Sequence, residues 1–580
     1  MTLHPSLLSA RFILRILLCA VCLRALLLLC EIMLLSPAHL VSLVHDDAYY
    51  YLDVARSLGQ GQGSVYAGLL TTNGYQPLWQ WLLAGISWLL GNARTPLLLT
   101  TAVLPVCLLA LGQVWLWRTS KASEKMLVTQ IIIGTVCTYL VFPFTLGMGM
   151  ESSLILLVLP VLVYALERRT VSSSALLIFA LLPLIRLDAL IIPAVHVGLL
   201  SLQAGRQRRL ISRRELALLV LPLVVLAIYA TVNILEFGTW LPISGIVKSV
   251  GGAHFSNLPA LVQGVTTPVL TIALLFWLLV ESLTRGLDKG IHFLHSIQVF
   301  LFATLGQALY YGCLSTWPLW PWYAYLAACF SAVAMARVIY LLSLAVSVRS
   351  WPSVVVVCTG LLFVLAQTPR TAATTTFLAS LRQQWLHADI SQLSRVRSEA
   401  EHARILDDVY AVIAGKTVAM GDRAGIVAYW RPEQTRFIQT EGLMADLAYH
   451  QRRFSGNGEA YLVDHGVDIL MTDRDYYHVE KTPTGLVFVV PEPALGSMTT
   501  SGAMLFCFPR TAVIREYPVN NETHIRLFDF HHRVACSTDI VRRFGEIERG
   551  ELGYMKHTLP SLADGGIIDS LGRVGRRFWK

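Results

Sequence analysis

The sequence predicts a multispanning α-helical membrane protein of about eleven transmembrane helices, followed by a soluble α/β domain on the outer side. Three observations carry that prediction. Of 580 residues, 55% are hydrophobic and only 14% charged, against roughly 25% charged in soluble globular domains. This excludes an ordinary soluble enzyme and a disordered chain. Apolar runs occur at residues 12–35, 97–117, 216–235, 269–280 and 354–365, several approaching the roughly 20 residues a spanning helix needs. Composition then changes near Gln367: residues 1–367 read as spans and short loops, and residues 368–580 as alternating short strands and helical stretches.

The first apolar run begins with Arg11 and Arg15. It is longer than a signal-peptide core and has no clear small-residue cleavage site, so it reads as a retained first span. Basic residues cluster in the short loops Arg118–Lys125, Arg168–Arg169, Arg206–Arg214, Arg285–Lys289 and at Arg349. Cytoplasmic loops are enriched in Lys and Arg, so these loops and the N-terminus are assigned to the cytoplasm. The outer side then receives residues 36–78, 143–150, an apex at Arg186–Asp188, residues 236–266 and 314–321, and everything after Gln367. Residues 176–202 must hold two short crossings, and residues 78–90 read as an interfacial or re-entrant helix. Up to Gln367 there are 21 Lys+Arg and 12 Asp+Glu, and after it 25 of each. The net charge of +9 therefore belongs to the membrane half. It reports topology, and no nucleic-acid partner is expected.

Eight of the ten cysteines lie in or beside apolar runs and read as buried thiols. Cys507 and Cys536 lie in the soluble part, where an oxidising compartment would let them pair. Arg24 and Glu31, seven residues apart in the first span, read as an intramembrane packing pair.

The polar motifs that look chemical all fall on the outer side. His45–Gly63 (HDDAYYYLDVARSLGQGQG) places Asp46 and Asp47 at the start of a helix. Acids there suit the helix dipole, but that accounts for one aspartate more easily than for two side by side. Adjacent carboxylates raise each other's pKa, which suits a general base or a cation site. Residues 71–85 (TTNGYQPLWQWLLAG) return to the membrane through Tyr75, Pro77 and Trp79, with Trp79 as an interfacial aromatic. Glu151 opens a span in GMGMESSL, Arg186 and Asp188 interrupt an apolar stretch in LIRLDAL, and Ser244 and Lys248 lie in FGTWLPISGIVKS. Trp317, Trp320, Trp322 and Tyr323 read as an aromatic belt.

In this order, the motifs resemble the GT-C superfamily of lipid-linked-sugar glycosyltransferases. The similarity extends over most of the chain, and together the motifs resemble the bacterial branch that includes mycobacterial terminal arabinofuranosyltransferases and related pilin or cell-surface glycosyltransferases. VAMGDRAGIVAYW and GEAYLVDHGVDILMTD in the soluble part resemble the exported tail of that branch. Two departures leave the sugar open: Arg186-Leu187-Asp188 stands where many relatives have an Arg-Pro-Glu-like motif, and Ile243-Ser244 stands where close relatives often have Asn after the loop proline.

The resemblance implies a bacterial cytoplasmic-membrane enzyme that moves a sugar, arabinofuranose-like in the favoured reading. The donor would be a polyprenyl phosphate and the acceptor a cell-envelope glycan or glycoprotein, with inversion at the anomeric carbon. Asp47, or Asp46, is expected to take the acceptor proton, and Lys248 and Arg186 to hold the donor phosphate. Glu151, Asp188, Tyr75, Trp79 and Ser244 are expected to position substrate. No cofactor is assigned; a divalent cation at His45, Asp46 and Asp47 is the alternative. The rival reading is a transporter or flippase of lipid-linked sugar, since charged residues can mark a substrate path. Such proteins usually carry internal repeats, and none is found here.

Overall fold

The computed structural model describes residues 43–141, 143–168, 171–248, 293–315, 321–347, 406–421, 424–472, 478–482, 485–492, 504–520 and 523–542. The first span, the apolar runs at 269–280 and 354–365 and the Arg24–Glu31 pair lie outside these residues.

The chain enters at α1 (Asp46–Gly59), whose amino end is capped when His45 Nδ1 accepts the Asp47 N–H at 3.3 Å. A two-residue ribbon, β1 (Val65–Tyr66) with β2 (Leu70–Thr71), leads to α2 (Pro77–Leu89). At 13 residues α2 is about 20 Å long, too short to cross a bilayer of about 30 Å. It exposes Trp81, Trp88 and Leu89. Trp79 departs from its sequence reading as an interfacial aromatic. It is fully buried, and its indole N–H donates to the Gly149 carbonyl at 3.1 Å. Two residues on, about half a helical turn away, Trp81 occupies the surface instead.

The bundle continues with α3 (Arg94–Thr119), α4 (Lys125–Val141), α5 (Leu154–Arg168), α6 (Ser173–Ile185), α7 (Ile191–Arg206), α8 (Arg213–Phe237), the short α9 (Ile243–Lys248), α10 (Leu294–Leu314) and α11 (Tyr325–Ser347). Among the described residues, five helical stretches are long and apolar enough to cross a membrane: Arg94–Thr119, Leu187–Arg206, Arg213–Phe237, Leu294–Leu314 and Trp322–Leu341. The chain is a multi-pass membrane protein. Its α8 starts on a capping box between Ser212 and Glu215 and stops at Gly238, whose φ of 71° ends the helix without a Cβ penalty. Outward-facing apolar side chains such as Ile228 and Leu235 suit contact with lipid. By contrast α11 is enclosed by its neighbours, with Phe330, Val333 and Val338 fully buried. Arg168 pairs with Glu124 at 2.9 Å, so two of the basic loops meet at one end of the bundle.

The segment 176–202 does hold two helices, broken at Arg186. At that break Arg186 takes an extended backbone and Leu187–Leu190 form a single 3-10 turn. An Arg and an Asp within an apolar stretch favour such an interruption, because it brings their polar groups to partners.

Residues 406–542 build a mixed sheet flanked by helices. The strands β3 (Thr417–Met420), β4 (Arg436–Gln439), β5 (Ile469–Thr472), β9 (Val513–Asn520) and β10 (Thr523–Asp529) lie in the order β4-β3-β5-β10-β9. The first three are parallel and the rest antiparallel. A second antiparallel sheet runs β6 (His478–Thr482), β7 (Gly485–Glu492) and β8 (Met504–Pro509). Cys507 in β8 is disulfide-bonded to Cys536. Helix α12 (Ala424–Trp430) follows β3 and packs on α1, which joins this unit to the membrane bundle.

Candidate functional site

The site forms where several helix ends meet at one end of the bundle. Asp47 lies in the first turn of α1, its side chain 28% exposed, with Oδ1 4.0 Å from His45 Nδ1. His45 is fixed from two sides. Its backbone N–H donates to the Met148 carbonyl at 3.2 Å, and its ring lies 4.4 Å from that of Trp322. Lys248 ends α9, with Nζ 5.4 Å from the centre of the Tyr323 ring. Burial opposes the lysine charge, but the Tyr323 oxygen and the Asp47 and Glu151 carboxylates hold its pKa above the usual lysine value.

Behind them is a closed polar cluster. Arg186, 3% exposed, pairs with Glu151 through one guanidinium nitrogen and with Asp188 through another at 3.0 Å. Its planar fork serves two carboxylates at once, as arginine geometry permits. Asp188 also accepts from Gln307 at 2.8 Å and from the Tyr311 and Tyr325 hydroxyls at 3.1 Å each. Glu151 accepts from the Tyr51 hydroxyl at 2.9 Å, which in turn accepts the Gln76 N–H at 3.1 Å. Burial, and then the Glu151 charge, push the Tyr51 phenol well above its ordinary pKa, so it stays protonated and donates. The rings of Tyr323 and Tyr325 lie 5.5 and 4.8 Å from the guanidinium carbon.

The re-entry motif supplies the floor. Gln76 Oε1 accepts the Leu187 N–H at 3.3 Å, Gln80 donates to the Tyr51 carbonyl at 3.1 Å, and Asn73 Oδ1 accepts the Ile243 N–H at 3.0 Å. The last bond anchors α9, and with it the buried Ser244 and the half-buried Lys248, against the loop after β2. Tyr75 is turned aside, its hydroxyl 2.6 Å from Ser64 Oγ. Trp79 contributes packing from below.

The structure therefore brings Asp47, Glu151, Arg186, Asp188 and Lys248 into one connected network. Asp46 points away from it: Oδ1 accepts the Ile426 N–H at 2.9 Å, from the soluble unit. Among the described residues no three His, Cys, Asp or Glu side chains are arranged to hold a metal ion. Sequence reasoning passed over Tyr51, Asn73, Gln76, Gln307, Tyr311 and Tyr325. Tyr51 stands four residues after Asp47, one helical turn along the same face, which is a readable signal. Gln307, Tyr311 and Tyr325 sit in ordinary apolar runs and carry no such signal.

No protein-family model matches the chain, and no curated protein matches it. Among solved structures the chain is similar to the crystal structure of ArnT from Cupriavidus metallidurans bound to undecaprenyl phosphate. The identity is 12% over 84% of this chain and 96% of that one, with a TM-score of 0.45.

Proposed function

We propose that the protein is a membrane glycosyltransferase that moves a sugar, arabinofuranose-like, from a polyprenyl-phosphate donor to a cell-envelope glycan or glycoprotein acceptor. The observation that carries this reading is a part-exposed Asp47 beside His45 and Trp322, with Lys248 and the buried Arg186 both lying against the neighbouring Tyr323 ring. The arrangement pairs a carboxylate with reach to solvent and a cation, which is what transfer from a lipid phosphate requires. Asp47 removes the acceptor hydroxyl proton as that oxygen bonds to the anomeric carbon. The bond from that carbon to the phosphate oxygen breaks on the opposite side, the configuration inverts, and the lipid phosphate leaves with the electron pair. Lys248 stabilises the charge that develops on the leaving phosphate.

Arg186 shared the phosphate role in the sequence reading. Its donors are occupied by Glu151 and Asp188, so the phosphate contact is given first to Lys248, with Arg186 holding the wall behind it. The soluble unit, docked at the same end as the site, serves acceptor recognition in this reading.

The test is transfer of labelled sugar from a synthetic polyprenyl phosphate to a glycan acceptor by the full-length protein in detergent. Transfer without two compartments separates an enzyme from a flippase. The expected result is turnover that Asp47→Asn removes. Absence of transfer from any polyprenyl-phosphate sugar, or near wild-type turnover in both Asp46→Asn and Asp47→Asn, would overturn the reading.

A further inference from the structure

Helix α1 presents two differently occupied faces. Asp47 and Tyr51, one turn apart, face the membrane cluster. Asp46, Tyr50 and Asp53, at spacings of four and three, form the adjoining stripe that a helix of 3.6 residues per turn must keep together. Each residue of this second stripe meets the soluble unit. Asp46 accepts from Ile426 N–H at 2.9 Å. The Tyr50 hydroxyl accepts from Gln439 at 3.4 Å. Asp53, 1% exposed, accepts from Arg431 at 2.5 Å and from the Ala67 N–H at 2.6 Å. Arg431 is itself fixed by the Ala428 and Thr435 carbonyls at 2.6 and 3.0 Å. Gly425 leaves no space for a side chain: a Cβ there would lie 2.5 Å from the Asp46 carbonyl oxygen and 3.1 Å from each carboxylate oxygen.

We infer that the soluble unit is a positioning element for the base: Asp46, Asp53, Gly425 and Arg431 form a clasp that sets the place of Asp47, and Asp46 is a positioning residue. This rests on the glycosyltransferase reading above. The adjacent aspartates thus divide the work, one held by the docked unit and one turned to the cluster. A shift of about 1 Å in a reacting group can cost on the order of a hundredfold in rate, so a clasp on the same helical turn has leverage over kcat.

Asparagine discriminates the two roles, because its side-chain oxygen still accepts the Ile426 N–H but cannot take a proton. With the full-length protein, Asp46→Asn is expected to keep turnover within about threefold of wild type, and Asp46→Ala to lower kcat about tenfold with the donor KM unchanged. Asp47→Asn is expected to lose about 10²–10⁴-fold. Gly425→Ala, which touches no reacting group and adds a good helix former, is expected to lower kcat about tenfold by displacing α1, again with KM unchanged. Asp46→Asn as inactive as Asp47→Asn overturns the division of labour, as does wild-type kcat in both Asp46→Ala and Gly425→Ala. Hydrogen exchange across residues 46–52, read on the same proteins, tests the clasp apart from transfer. Faster exchange in Gly425→Ala supports it, and unchanged exchange refutes it. Failure of the wild type to transfer sugar bears on the glycosyltransferase reading alone.

Discussion

Two groups of charge share one site and are built in opposite ways. In the Glu151–Arg186–Asp188 cluster every charge is answered. The guanidinium is 3% exposed and divided between two carboxylates, and Asp188 has four side-chain partners. Asp47 is 28% exposed and stands at the edge. Removing a charge from water costs several kcal/mol and is tolerated only where partners restore what water supplied. The closed cluster meets that condition: Asp188 accepts from four side chains, and Glu151 accepts from Arg186 and Tyr51. Asp47 keeps part of its side chain in contact with solvent. The difference separates architecture from chemistry: stability should follow the first group and turnover the second.

The largest expected effect falls on turnover. Asp47→Asn should lower kcat by about 10²–10⁴-fold while thermal unfolding in detergent stays within about 0.5 kcal/mol of wild type, as for a part-exposed substitution. A large fall in unfolding temperature for this variant would erase the distinction between the two groups.

Next comes the cluster. Arg186→Met leaves Glu151 and Asp188 buried without their shared cation, and removing one partner of a buried pair typically costs about 3–5 kcal/mol. Early thermal unfolding and poor recovery from membranes are the expected outcomes. A variant that unfolds with the wild type yet loses donor binding would return Arg186 to direct phosphate contact, as the sequence motif first implied.

Lys248→Gln should act on the donor. A hydrogen bond to a charged group is worth about 1.5–3 kcal/mol, so the donor KM should rise about tenfold or more, with the acceptor KM unchanged. If acceptor and donor KM rise together, Lys248 belongs to the wall and the open edge holds Asp47 alone.

The sequence made the membrane half and the shared face of these residues legible for a physical reason. Spans need long apolar runs, so Asp46, Asp47, Glu151, Arg186, Asp188 and Lys248 stand out against their surroundings. Loop charge then assigns them to one side. What could not be read was which neighbour each would meet. Asp46 and Asp47 are equivalent in sequence and separate only when α12 docks on one side of α1. The exposure of Trp81 in place of Trp79 depends on the rotation of α2, which its apolar sequence does not fix. Gln307 and Tyr311 lie one turn apart on α10, but they became visible only when the break at Arg186 brought Asp188 to them.

The smallest effect tests the join between the two groups. Tyr51 stands on the same face of α1 as Asp47 and reaches the cluster through Glu151. Its hydroxyl makes two bonds, donating to Glu151 and accepting from the Gln76 N–H. Tyr51→Phe keeps the ring and the packing but leaves a part-buried N–H and one carboxylate contact unanswered, which should cost about 1–3 kcal/mol of stability. If α1 is rigid between the two residues, the same change should also lower kcat by a few-fold, because the helix turn carrying Asp47 loses its tie to the wall. Loss of stability with kcat intact would mean that the clasp to the soluble unit alone sets Asp47. Loss of kcat with stability intact would place the Tyr51 hydroxyl among the groups that touch substrate.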